Sequence, residues 1–314
     1  MKAFYASSFG GPEVMTFGEL PDPEPRAHEV LVAVEASSLN PVDWKVRLGD
    51  HKVLSGSRFP KIFGGDYAGV VQQVGAKVSS FRAGDRVYGF RAVLLGAIGA
   101  HAELVVAKSA SVRRMPEGLS FVQAAALPVA GLTALSGFRL AGEVAGKAVL
   151  VNGATGGVGH FAVQIAKARG AHVTAVCSAK NRDRALALGA DQVLDYRMQG
   201  ATPIGQRFDV IFDAFGGSSY GAAASQLSRG GVFLTTIPSA KLVLGWVRSM
   251  FSGHRVRASN ARVRPADYQA LEELLATGAV APVTDAVFPI ARAPEAFALA
   301  EAGGVVGKIV LTLR

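Results

Sequence analysis

Residues 149–182 read "VLVNGATGGVGHFAVQIAKARGAHVTAVCSAKNR". An apolar run of strand length enters a glycine turn, continues as a helical pattern, and returns to a second valine-rich run. The spacing Ala154-x-Gly156-x-x-Gly159 is the dinucleotide fingerprint with alanine in its first place, and Gly157 adds flexibility. Such a turn must reverse tightly, let a pyrophosphate approach without an intervening Cβ, and pack helix on strand. The phosphates then meet free N–H groups at the positive end of a helix dipole. The spacing predicts a helix starting near Val158.

About twenty residues further on, a site for NAD would offer an acidic residue to the ribose hydroxyls. Here stand Ser178, Lys180 and Arg182, with Asp183 placed inside the following helix. A hydroxyl followed by two cations suits a 2′-phosphate, so NADP(H) is expected over NAD(H).

From Lys147 the pattern extends outward as βα units. "KAVLVNG", "HVTAVCS", "DQVLDY", "FDVIFDAFG" and "GGVFLTTI" are short strand-like runs with helical stretches between them. This alternation predicts a parallel, doubly wound sheet. "RPADYQALEELLATG" predicts a helix that begins at a proline and stops at Gly278. Before residue 120 the texture differs. "HEVLVAVEA" (28–36), "DYAGVVQQVG" (66–75), "GDRVYGF" (84–90) and "HAELVVA" (101–107) predict a β-rich, barrel-like domain. "SFVQAAALPVAGLTALSGFRLAG" has helical spacing, with a possible capping box between Ser120 and Gln123. The tail, 280–314, returns to strands. The organisation expected is 1–120 with 280–314 as one domain and 121–279 as an inserted cofactor domain.

The 314 residues are half hydrophobic and 18% charged, in the range of a globular enzyme. The single cysteine, Cys177, excludes an intramolecular disulfide and a cysteine-rich metal site. No secretory signal and no run long enough to span a membrane is visible, so a cytoplasmic location is expected. The net charge is +9. Between Ala214 and Ala266 there is no acidic residue, while Arg229, Lys241, Arg248, Arg255, Arg257, Arg262 and Arg264 fall there. That stretch could attract nucleic acid, an anionic membrane or a polyphosphate cofactor, or could be a solvated face. Within it, Leu242, Val243, Trp246, Val247, Met250 and Phe251 recur near helical spacing. A lid or a dimer contact is preferred there to a membrane anchor.

The motifs "SSLNPVDWKVRLG" (37–49), "GGDYAGVVQQVG" (64–75), "AGDRVYGF" (83–90), "AAALPVAGLTAL" (124–135), "NGATGGVG" (152–159), "LGADQVLDY" (188–196) and "GKIVL" (307–311) form a set. Through them the chain resembles the zinc-independent medium-chain dehydrogenase/reductases, in the branch of quinone oxidoreductases and enone (alkenal) reductases. The resemblance implies a GroES-like β-barrel catalytic domain beside a Rossmann domain of doubly wound parallel sheet. At the places of the zinc ligands of metal-dependent relatives stand Asn40, Gly65 with Asp66, and approximately Ala130. His28, His160 and His172 stand singly, so no metal site is expected.

The activity implied is an NADPH-dependent, metal-free reduction of a quinone or an α,β-unsaturated carbonyl compound. The alternatives are an alcohol or aldehyde oxidoreductase and a non-catalytic nucleotide- or RNA-binding protein. The resemblance places Asn40 near the nicotinamide ribose, with Asp43 bracing its loop. Lys45 becomes a candidate for the substrate carbonyl, and Tyr88 a second donor. Thr133 is expected near the nicotinamide, Gly156, Gly157 and Val158 at the pyrophosphate beside Ala154, and Ser178, Lys180 and Tyr196 at the 2′-phosphate. Phe215 and Ile237 would line the nicotinamide side, and Lys308 would reach the cofactor from the tail. The expected partners are the small-molecule acceptor and a second copy in a homodimer, with no nucleic acid and no membrane span.

Overall fold

The valine-rich runs are strands, and their alternation sets which faces they bury. The computed structural model describes residues 1–96, 98–199, 205–237 and 239–313. The chain divides into two units, Met1–Val129 with Val283–Arg314, and Ala130–Pro282.

In the first unit, β1 (Lys2–Ala6), β2 (Met15–Glu19) and β4 (Lys61–Ile62) form a small antiparallel sheet. The larger sheet contains β3 (Glu29–Ser38), β5 (Asp66–Val74), β6 (Arg86–Phe90), β7 (Leu104–Lys108), β8 (Val112–Arg114), β15 (Thr284–Pro289) and β16 (Lys308–Thr312). Its order is β15-β16-β3-β5-β6-β8, with β7 also paired to β3. The tail therefore completes the first unit: β16 runs antiparallel to β3, Val310 opposite Ser38 and Thr312 opposite Ala36. Strand β3 is buried on both faces from Val30 to Val34, which explains its near-continuous apolar sequence. Val30, Val32, Tyr67, Val87, Ile309 and Phe297 share one core.

The second unit holds β9 (Ala148–Asn152), β10 (His172–Cys177), β11 (Gln192–Asp195), β12 (Phe208–Asp213), β13 (Leu227–Thr235) and β14 (Arg255–Ala258). They form one parallel sheet in the order β11-β10-β9-β12-β13-β14. This is the doubly wound order, and it reverses direction between β9 and β12, where such sheets open a crevice at their carboxyl ends. Leu150, Val176, Ile211 and Phe233, one from each of four neighbouring strands, join in the core of one face.

Six helices among the described residues have eight residues or more: α1 (Pro41–Leu48), α2 (Pro128–Ala141), α3 (Gly159–Ala168), α4 (Ala240–Ser249), α5 (Pro265–Ala276) and α6 (Ala293–Ala302). Proline sets several of these starts, because its missing N–H costs nothing in a first turn. Pro128 accordingly divides the apolar stretch after residue 120 into a short helix, Phe121–Ala125, and α2. The capping box forms: Gln123 N donates to Ser120 Oγ (3.2 Å), and Ser120 N donates to Gln123 Oε1 (3.0 Å).

Candidate functional site

The glycine turn is built at the carboxyl end of β9. Gly153 adopts φ +71° there, and the N–H groups of Gly153 and Ala154 both donate to Val176 O at 3.1 Å, fastening the turn to β10. A Cβ on Gly159 would lie 2.0 Å from Gly153 O, so helix and turn can cross only at glycine. Gly156 is different. A Cβ there would meet only Gly153 O, at an ordinary 3.4 Å. The chain's own packing does not require that glycine, whereas an approaching phosphate would. Gly156, Gly157 and Val158 are half-exposed, Ala154 is buried, and α3 begins at Gly159 after Val158, which has no side-chain cap. The head of α3 thus presents uncapped amide groups beside an open glycine.

Two polar pairs that sequence reasoning missed hold this end of the sheet. Asn152 Nδ2 donates to Asp213 Oδ1 at 2.8 Å, joining β9 to β12. Asp213 also accepts from Gly216 N (3.0 Å) and Ser218 N (2.9 Å). Burial raises its pKa above the ordinary carboxylate range, and these donors oppose that shift. The second pair is Asn181 Nδ2 to Thr155 Oγ1, 3.3 Å, linking the turn to the segment after β10. The signal for the first pair was a polar residue closing an otherwise apolar strand, at Asn152 and again at Asp213; Thr155 and Asn181 lie beyond the strand ends and gave none.

The loop held by Asp213 brings Phe215 against the turn: a Cβ on Gly153 would lie 2.8 Å from Phe215 Cβ. Phe215 is 73% exposed. Ile237 packs on the same loop, since a Cβ on Gly216 would strike its Cδ1 at 2.1 Å. At the end of β10, Ser178 is buried and Lys180 exposed. Arg182 donates to Val193 O (3.2 Å). Tyr196 is exposed beneath the Arg197 guanidinium. Thr133 is buried in α2, and its carbonyl accepts from Ser259 Oγ at 2.5 Å.

The first unit contains a separate buried polar cluster. Asn40 caps α1, and its N–H donates to Asp43 Oδ2 (2.8 Å), while Gly64 N donates to Asp43 Oδ1 (3.1 Å). Asp43 is fully buried, and desolvation pushes its pKa up to about 7 against the pull of these two donors. The Asn40 amide turns the other way. Its Nδ2 donates to Asp66 Oδ2 (2.8 Å), and its Oδ1 accepts from Lys308 Nζ (2.6 Å). Asp66 also accepts from Ser38 Oγ (2.7 Å) and Val129 N (2.8 Å). Beside it, Ser37 Oγ lies 2.9 Å from His101 Nδ1, and burial lowers the His101 pKa to about 3.

Lys308, from the tail, is turned into this cluster. It is 3% exposed, and its ammonium donates to Leu39 O (2.8 Å), Asn40 Oδ1 (2.6 Å) and Asp66 Oδ2 (3.3 Å). All three N–H groups are directed inward, because a buried cation needs a partner for each. Lys45 is half-buried on α1, and its ammonium makes no hydrogen bond among the described residues. Tyr88 lies in β6, fully buried, between Ala68 on β5 and Arg113 on β8.

Two family models match the chain, "Alcohol dehydrogenase GroES-like domain" over residues 26–117 and "Zinc-binding dehydrogenase" over residues 188–311. A chloroplastic quinone-oxidoreductase homolog of Spinacia oleracea is 35% identical, the alignment covering 98% of this chain and 96% of that one. The chloroplastic NADPH-dependent alkenal/one oxidoreductase of Arabidopsis thaliana is 34% identical over 99% of this chain and 79% of its own. The solved quinone oxidoreductase of Coxiella burnetii superposes with a TM-score of 0.93 at 31% identity, covering 100% and 99% of the two chains.

The zinc in one model's name can be tested on the donor set. Asn40 Oδ1 accepts from Lys308, Asp66 accepts from Lys308, Ser38 and the Asn40 amide nitrogen, and an ammonium already supplies the positive charge. Among the described residues no three His, Cys, Asp or Glu side chains are grouped to hold a metal ion. These residues do not fit zinc. No helix among the described residues is long and apolar enough to cross a membrane.

Proposed function

The chain belongs to the medium-chain dehydrogenase/reductase family, in the branch of its quinone oxidoreductase and alkenal/one oxidoreductase relatives, and we propose that it is an NADPH-dependent, metal-free reductase of quinones or α,β-unsaturated carbonyl compounds. The observation that carries this reading is the open glycine at the uncapped head of α3. In this reading Gly156, Gly157 and Val158 hold the pyrophosphate, and Ala154 supports the turn beneath them. Ser178, Lys180 and Tyr196 hold the 2′-phosphate. Thr133, Phe215 and Ile237 flank the nicotinamide, the group that supplies hydride when bound.

Without a Lewis acid, the acceptor must already be electron-poor, and the protein polarises it by donors placed in advance. Lys45 fits that part. Its ammonium has no partner to leave and can stabilise negative charge developing on a carbonyl or quinone oxygen. Asn40 orients the nicotinamide ribose, and Lys308 acts through Asn40 by fixing which way its amide points. Tyr88, fully buried, serves at most as a donor from beneath the surface. Oxidation of a simple alcohol is the poorer reading, because the relatives that match nearly the whole chain are named for quinones and alkenals/ones.

A homodimer belongs to the same reading. Strand β14 closes one edge of the sheet and pairs only with β13 among the described residues, and sedimentation would show the pairing. The deciding assay is NADPH consumption with a conjugated enone and, separately, a quinone, with the products identified by mass and proton spectra. Turnover of either with NADPH, at rates unchanged by a chelator and well above those with NADH, supports the proposal. No turnover of either, or equal use of NADH, overturns it.

A further inference from the structure

Helix α4 packs on the sheet with its small side. Leu242, Gly245 and Ser249 face inward, and a Cβ on Gly245 would lie 2.9 Å from Tyr220 Cβ. The opposite side carries the bulk: Val243, Leu244, Trp246, Val247 and Met250 are 49–72% exposed, and Phe251, just beyond the helix, is 86% exposed. An ordinary surface helix shows the reverse arrangement. An exposed apolar face of this kind marks a surface that something else covers.

Charge decides among the occupants. Lys241 and Arg248 flank the apolar face on one side, seven positions apart and therefore on one stripe of the helix. The acid-free stretch Ala214–Ala266 contains seven cations, and none of them forms an ion pair among the described residues. A second copy laid symmetrically on this face would meet the same cations with no carboxylate from the stretch to receive them. An anionic lipid surface answers both features. The apolar side chains enter the boundary between headgroups and acyl chains, Trp246 sits at headgroup level, and the cations meet phosphate.

We infer that α4 with Phe251 is a docking surface for an anionic lipid membrane, in place of the lid or dimer contact preferred from sequence. The inference stands independently of the proposed reaction. The test is flotation of the full-length protein with vesicles of phosphatidylcholine alone and with vesicles that also contain phosphatidylglycerol. Trp44 and Trp246 are the two tryptophans, so a Trp44→Phe protein reports Trp246 alone.

The expected result is flotation with the anionic vesicles, weakened but not abolished by high salt. The Trp246 emission should shift to shorter wavelength and be quenched by brominated acyl chains. A Trp246→Glu/Phe251→Glu protein should remain unbound while keeping its unfolding midpoint. Lys241→Glu/Arg248→Glu should lower vesicle affinity about tenfold. No flotation with either vesicle overturns the inference, as does flotation equal for wild type and Trp246→Glu/Phe251→Glu. A wild type that never floats, whose Trp246→Glu/Phe251→Glu form dissociates in the ultracentrifuge, assigns the face to a second copy instead.

Discussion

Lys308 Nζ lies 2.6 Å from Asn40 Oδ1 across 268 positions of sequence, and the same ammonium is 3.3 Å from Asp66. Removing one member of a buried ion pair strands the other. Lys308→Met is therefore expected to destabilise the protein by roughly 3–5 kcal/mol in urea unfolding. A Lys308→Met/Asp66→Asn double variant should recover part of that loss, because no buried charge is then left alone. Where Lys308→Met still folds, kcat should fall more than KM for NADPH, and Lys308→Arg should not restore it, since a guanidinium cannot occupy the same three acceptors.

The two glycines of the turn separate folding from binding. Gly159→Ala drives a Cβ to 2.0 Å from Gly153 O and should cost roughly 1–3 kcal/mol or more. Gly156→Ala meets only an ordinary contact and should leave the unfolding midpoint nearly unchanged. Its NADPH affinity, read by fluorescence titration, should nonetheless fall about tenfold or more, equivalent to about 1.4 kcal/mol. Equal affinity in Gly156→Ala and wild type would remove this turn from cofactor binding.

Asp43 and His101 oppose each other in pH. The folded Asp43 pKa is raised from 3.8 to about 7 by burial. The folded protein thus holds a proton that the unfolded chain has lost, and the stability present below about pH 4 is lost as pH rises toward 7. His101 is lowered from 6.5 to about 3, chiefly by burial. It contributes stability above its unfolded pKa that is lost as pH falls through that window. Between about pH 4 and 6.5 the two slopes cancel. His101→Gln should expose the Asp43 slope, stability falling as pH rises from 4.5 to 7. Asp43→Asn should expose the reverse, and urea midpoints at several pH values measure both.

Lys180 is exposed at the end of β10. Lys180→Ala should raise KM for NADPH by about tenfold, the effect of about 1.4 kcal/mol, while leaving KM for NADH within twofold. A parallel rise for both cofactors would place Lys180 outside the 2′-phosphate site.

Lys45→Ala should lower kcat on the best acceptor by about a hundredfold or more, the scale of losing one preorganised donor to a developing oxyanion, with NADPH binding unchanged. Full turnover would take Lys45 out of the mechanism.

Much of this was legible before any coordinates. Gly153 to Gly159 and the valine runs around them are local signals, and they gave the turn, the parallel sheet and the start of α3. The Ser120–Gln123 cap was readable for the same reason, since both partners lie within one turn. Asn152–Asp213 and Thr155–Asn181 were not, because a polar residue at a strand end or in a turn does not say which distant residue it will face. The partners of Lys308 were not legible for a related reason. A lysine after a glycine does not say what its ammonium will meet, and the antiparallel pairing of β16 with β3 sets it beside Asn40.

Sequence by itself therefore determined the βα alternation of the second unit, the β-rich character of the first and the glycine turn, because periodicity and φ demands are properties of neighbouring residues. Tertiary structure alone decided that Asp66 would be paired with an ammonium. It also decided that α4 would turn its small side inward and its large apolar side out. Both outcomes depend on which distant surfaces meet, and burial there, not local pattern, sets the free energy of a charge or a tryptophan.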